Sequence, residues 1–246
     1  MNFETLFLAQ QQGGFYGIGM GYWALIIGTM VMSMLISGTL KRRFAEYSEI
    51  PTRLTGAQAA ELMLRQNGIN DVQVIHTGGQ LTDHYDPTKK TVNLSDSVYA
   101  MNSVAAVAVA AHECGHALQH KQAYAWLKLR SALVPAVQFS SKMQNILMML
   151  MIFGLFAFGS GGTIFIWVFL GTMIVTTLFT VITLPVEFDA SNRALAWLEG
   201  SGVADQMQHD KAKNALFWAA MTYVAAAVGA IAQLAYWVAM LLGRRD

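Results

Sequence analysis

Apolar residues gather into three long runs separated by polar stretches, and each run could cross a bilayer as a helix rising ~1.5 Å per residue. The first extends from about Gly17 to Leu40 and ends on Lys41-Arg42-Arg43. The second, about Asn145 to Leu184, is interrupted by Gly159-Ser160-Gly161-Gly162, a cluster that would turn the chain, so it predicts a hairpin of two spans. The third covers about Ala215 to Leu242 and ends on Gly243-Arg244-Arg245-Asp246. The pattern therefore predicts four transmembrane helices. It divides the chain into an N-terminal span (1–43), a polar α+β domain (44–142), a hairpin of spans (143–184), a polar helix (185–214) and a C-terminal span (215–246).

Composition agrees. The 246 residues are 54% hydrophobic and only 13% charged, too apolar for an ordinary soluble domain. The first run does not read as a cleaved signal peptide, because no basic residue precedes it and its apolar core is too long. Of the 16 Lys and Arg residues, none precedes that run, eleven lie between positions 41 and 142, and three between 185 and 214. Basic loops stay in the cytoplasm, so both polar stretches are expected to face it, with the N-terminus outside. Arg244 and Arg245 dissent from this topology. The near-neutral charge, without basic patches interleaved with aromatics, argues against nucleic acid as a partner.

Within the polar domain, Thr55 to Gln58 reads as a capping box, with Gly68 stopping the helix that follows. Val72 to His76 alternates like a strand. Leu81 to Asp83 and Thr91 to Leu94 are expected to flank a turn at Tyr85-Asp86-Pro87-Thr88. Asn93 and Leu94 are the expected edge strand against which an extended peptide could pair.

The candidate chemistry follows. Val104 to Ala111 is an unbroken Ala/Val run, and His112-Glu113-Cys114-Gly115-His116 continues it in the pattern H-E-x-x-H. Residues four apart share a helix face, so the two imidazoles can reach one Zn²⁺ while Glu113 reaches a water beside it. Placing His, Glu and His at the end of a buried helix is costly unless they are paired or ligated. Cys114, as the sole cysteine, excludes an internal disulfide, and Gly115 leaves room beside the metal or for close helix packing.

A catalytic zinc site needs a third protein ligand. His120 lies about 12 Å along the helix from His112, too far to share the ion. The longer pattern H-E-x-x-H-x-x-G-x-x-H is absent, since Gln stands at 119 and at 122. Either Glu187 or Asp189, in Pro185-Val-Glu-Phe-Asp, would complete two histidines and a carboxylate. On the predicted topology, two crossings separate His112 from Glu187, which leaves both on one side of the membrane. His84, Tyr85 and Asn93 are candidates for contacts to the oxyanion or the substrate. His76 and His209 read as exposed or structural.

The stretches Leu81-Thr-Asp-His-Tyr-Asp-Pro, Val92-Asn-Leu-Ser, Ala110-Ala-His112-Glu113-Cys-Gly-His116-Ala-Leu-Gln and Leu184-Pro-Val-Glu187-Phe-Asp189-Ala-Ser together resemble the YugP-type neutral zinc metallopeptidases of bacterial membranes. The resemblance covers nearly the whole chain. It implies a membrane-embedded, zincin-like zinc endopeptidase of the bacterial inner membrane with its site facing the cytoplasm. Carried over, it makes His112, His116 and Glu187 the zinc ligands, Glu113 the catalytic base and Asp189 a supporting group or the partner of Arg193. The chain also looks like a distant relative of the membrane zinc proteases that use His, His and Glu as ligands, and it departs from those at 191, where Ser stands in place of the Asp usual four residues after the third ligand. The expected substrate is a peptide or an unfolded segment of a membrane protein. The rival readings are a non-catalytic membrane protein stapled by structural zinc and a zinc hydrolase of a non-peptide amide.

Overall fold

A computed structural model describes residues 20–152 and 161–242. Six helices and three short strands follow in chain order: α1 (Met20–Ser48), α2 (Gly56–Gln66), β1 (Gln73–His76), β2 (His84–Asp86), β3 (Thr91–Leu94), α3 (Val104–Lys121), α4 (Ala125–Ile152), α5 (Gly161–Ser201) and α6 (Gln206–Leu242).

Three helices among the described residues, not four, are long and apolar enough to cross a membrane: Gly21–Ser48, Ile164–Ser201 and Gln206–Leu242. The expected first half of the hairpin is the one corrected. It belongs to α4, which starts well before position 143 and whose apolar positions are interrupted by Lys128, Arg130, Gln138, Lys142, Gln144 and Asn145. Of the expected glycine turn, residues 159 and 160 lie outside the described residues and Gly161 and Gly162 open α5. The N-terminus and Arg244-Arg245 lie outside them as well. The boundary expected at Pro185 is also absent, because α5 runs through it without a break. Proline removes one helical hydrogen bond, a loss tolerated where neighbouring elements pack closely, and the next two residues, Val186 and Glu187, are buried.

Helix α3 is the hub. Ser103 caps it, its hydroxyl accepting from the Ala106 N–H. Ala105, Ala106, Ala108, Ala110 and Ala111 are fully buried. These small side chains let α2, α5 and α6 approach closely around one core that also holds Val92, Leu94, Val98, Met63 and Leu198. The capping box on α2 forms as the sequence predicts, with Thr55 and Gln58 exchanging hydrogen bonds, and Gly68 takes the left-handed conformation that ends the helix.

The sheet has the order β1-β3-β2, with β1 parallel and β2 antiparallel to β3. Asn93 and Leu94 are therefore on the central strand, which corrects their expected edge position. The edges are β1 and β2, and on β2 Tyr85 and Asp86, expected in a turn, are strand residues paired with Val92 and Thr91. The turn falls two residues later, at 87–90, because the Asp86 carboxylate accepts from the Thr88 and Lys89 N–H groups, while Lys90 takes a positive φ of 53°.

Ala123, in the loop between α3 and α4, also holds a left-handed conformation, at φ 55°. A side chain there costs of order 1 kcal/mol, so Ala123→Gly is expected to leave thermal stability unchanged or slightly raised, read as Tm by calorimetry.

Candidate metal centre

His112, His116 and Glu187 are brought together although 71 residues separate the last two in sequence. The α3–α5 crossing does this. At the contact, Gly115 of α3 lies so close to Ala190 of α5 that a Cβ on Gly115 would stand 2.5 Å from the Ala190 carbonyl oxygen. Glu187 Oε2 lies 3.3 Å from His112 Nε2 and 3.7 Å from His116 Nε2. Tetrahedral zinc with bonds of about 2.0–2.1 Å sets its ligands about 3.3 Å apart, so these distances fit one ion. Glu187 Oε2 is buried and makes no hydrogen bond, a state that is costly unless a cation answers it.

The hydrogen bonds behind the rings settle which nitrogens face that point. The Gln119 side-chain amide donates to the Val186 carbonyl at 2.8 Å and to Asp189 Oδ2 at 2.7 Å. Its oxygen must then face His116 Nδ1, 3.0 Å away, as an acceptor. His116 therefore carries its proton on Nδ1 and turns the Nε2 lone pair toward Glu187. Ser191 Oγ lies 3.1 Å from His112 Nδ1 and serves the other ring. Burial opposes charge on His116, but Glu187, Glu113 and Gln119 outweigh it and hold its pKa above the ordinary value.

Asp189 does not join the ion's immediate neighbours. It binds Gln119 and pairs with Arg193, whose guanidinium also reaches Gln122 at 2.6 Å. Because Gln119 orients the ligand His116, Gln119→Leu is expected to weaken zinc affinity by about 10–100-fold, measured by competition with a zinc chelator.

Glu113 lines a cavity of about 560 Å³ together with His112, His116, Arg130, Val134 and Tyr223. His84 and Tyr85 line it too, but the His84 Nδ1–H donates to the Thr82 carbonyl at 2.8 Å and the Tyr85 hydroxyl shares a hydrogen bond with His120 Nδ1 at 2.8 Å. Asn93 stays out of the cavity, with its amide bound to Thr91 and the His84 carbonyl. His76 pairs at the surface with Asp96 at 2.6 Å. Sequence reasoning missed Arg130, whose Nη1 lies 3.5 Å from Glu187 Oε1, and Tyr223 of α6, which also faces Glu187. A cationic residue and a tyrosine inside long apolar helices were the signal that could have found them.

Cys114 points away from the site, with its Sγ 3.6 Å from the Ala60 carbonyl. Burial, and then the nearby Glu113 charge, push its thiol pKa well up. Iodoacetamide is expected to leave Cys114 unmodified in the native protein and to label it after denaturation, as mass spectrometry would show.

No solved structure matches the chain. It is 38% identical over 224 residues to "Putative membrane protease YugP" of Bacillus subtilis (strain 168), covering 90% of this chain and 97% of that one. A family described as "Putative neutral zinc metallopeptidase" matches residues 22–242, a range that contains both histidines, Glu113 and Glu187. The chain belongs to this zinc metallopeptidase family, and His112, His116 and Glu187 form a group that could hold the metal its description names.

Proposed function

We propose that the protein is a membrane zinc endopeptidase that cleaves peptide bonds with Glu113 as its general base. The observation that carries this reading is Glu113 on the wall of the cavity, beside a metal-binding triad of which it is not a member. A structural zinc site would have no use for a carboxylate placed there.

His112, His116 and Glu187 would hold the ion, which when bound lowers the pKa of water and polarises a carbonyl. Glu113 takes the proton from the attacking water and passes it to the leaving amine. Arg130, whose Nη1 lies 3.5 Å from Glu187 Oε1, and Tyr223, which lines the same cavity, stabilise the developing oxyanion in place of His84 and Tyr85. The substrate is an extended peptide or an unfolded segment of a membrane protein, lying along the free edge of β2, where His84 and Tyr85 meet the cavity. The eleven Lys and Arg residues between positions 41 and 142, the stretch that carries His112, Glu113 and His116, support a site on the cytoplasmic side of the bacterial inner membrane.

The purified protein in detergent tests this. Hydrolysis of unfolded casein is expected to require about one zinc per chain, to stop with 1,10-phenanthroline and to return when zinc is restored. Zinc bound at that stoichiometry with no hydrolysis of casein or of a peptide library would leave a structural site or a hydrolase of other amides.

A further inference from the structure

Three contacts fix the depth of the metal centre relative to the apolar segments. Helices α1 and α6 run antiparallel, with Thr29 against Gly229, Glu46 against Lys211 at 3.8 Å, and Tyr47 bound to Asn214 at 2.9 Å. Extrapolating along both helices at ~1.5 Å per residue sets Lys41 level with Phe217. Trp218 beside it shares a groove with Ile36 and Thr39 of α1. Basic and aromatic side chains at one level mark the edge of a bilayer's apolar core.

Tyr223 lies about six residues, or ~9 Å, further into the apolar part of α6, level with the exposed Leu35. It lines the cavity with His112 and His116, and Arg130 of α4, which lines it too, lies 3.5 Å from Glu187. Exposed Trp126 stands about 6 Å above Arg130 on α4, a second interfacial aromatic on the same side of the site. The metal centre thus sits below the basic and aromatic collar.

At that depth the cavity wall is split. Helices α4 and α6 both pack along α5, with little direct packing between them. Far from the metal they close into one cluster through Leu147, Phe169 and Trp237. At the metal, Arg130, Ser131 and Val134 of α4 and Tyr223 of α6 all line the cavity. The half-exposed Val134 borders this gap, and the same cavity continues upward to His84 and Tyr85 on β2.

We propose that the gap between α4 and α6 is a lateral entrance, and that the substrate is a membrane-anchored polypeptide cut within a few residues of its own bilayer-embedded segment. This rests on the endopeptidase reading and adds where the scissile bond must lie. The anchor stays in lipid beside Val134 and Phe139, and the adjoining chain passes the metal and pairs with β2.

Proteoliposomes of phosphatidylethanolamine and phosphatidylglycerol, carrying the zinc-loaded protein, test it. One cleavable sequence is placed 3, 10 or 30 residues from a transmembrane anchor, and also supplied as a soluble peptide. All anchored forms share one surface concentration, so only placement differs among them. The 3-residue form is expected to be cut at least tenfold faster than the 30-residue form. Equal rates, or faster cutting of the 30-residue or soluble form, overturn the lateral entrance and leave the peptidase intact. No cleavage of any substrate overturns the peptidase reading and this inference with it. A readout independent of activity is a nitroxide on Val134→Cys in a Cys114→Ala background. Collisions with oxygen are expected to exceed those with a water-soluble nickel chelate, and the reverse order places the gap in water and defeats the proposal.

Discussion

Glu113→Gln is expected to leave one zinc per chain and to lower kcat/KM for a peptide by about 10²–10⁴-fold. Glutamine keeps the volume and one oxygen, so the packing of α3 is undisturbed, but it accepts no proton from water. The three converging donor atoms belong to His112, His116 and Glu187, so the ion loses nothing. His112→Ala gives the contrasting result, since it removes a donor and zinc is lost together with activity. Metal content by plasma mass spectrometry, set beside cleavage kinetics, separates the two variants. A Glu113→Gln protein that cleaves at the wild-type rate would remove the general base from the mechanism.

The part of this site that could be read in the sequence is the part written as short-range spacing. His112 and His116 are four apart on a helix whose Ala/Val approach reads as built for burial, and the structure buries all of it except the partly buried Val109. The Thr55 cap and the Gly68 stop are legible for the same reason, because each depends on a few neighbouring residues. The strand register was not. Alternation locates β3 but cannot say that β1 and β2 flank it on both sides, and that pairing moved the free edge from Asn93 to His84–Asp86.

The spans divided in the same way. Apolar length marks α1, α5 and α6. In α4 the apolar positions share the helix with Arg130 and Lys128, and that mixture hid both its start at Ala125 and its role in the site. The partners of the ligands were hidden by sequence distance. Gln119 gains its meaning only when Val186 and Asp189 arrive from α5 to fix its amide. Ser191 gains its meaning in the same way, since only the α3–α5 crossing brings its hydroxyl within 3.1 Å of His112 Nδ1.

The residue that joins the two halves of the site carries no functional group. Gly115→Ala is expected to weaken zinc affinity by about 10–100-fold and to destabilise the metal-free protein by about 1–3 kcal/mol. The added Cβ would stand 2.5 Å from the Ala190 carbonyl oxygen and 3.1 Å from its Cα, both backbone atoms of a buried helix that cannot swing aside. Carbon atoms prefer separations of about 3.5–4 Å, so α3 and α5 must part by several tenths of an ångström or more. Zinc tolerates errors of only about 0.2 Å in its bonds, and this crossing alone sets Glu187 Oε2 at 3.3 and 3.7 Å from the two imidazoles. Cys114→Ala is the control. Its side chain faces Ala60 of α2, on a face of α3 about 100° from the one Gly115 turns to α5, so that variant loses packing while the α3–α5 approach is kept. Chelator competition for affinity and thermal unfolding with the metal stripped should show Gly115→Ala failing on both counts and Cys114→Ala on stability alone. Wild-type zinc affinity in Gly115→Ala would mean that the crossing does not set the ligand distances.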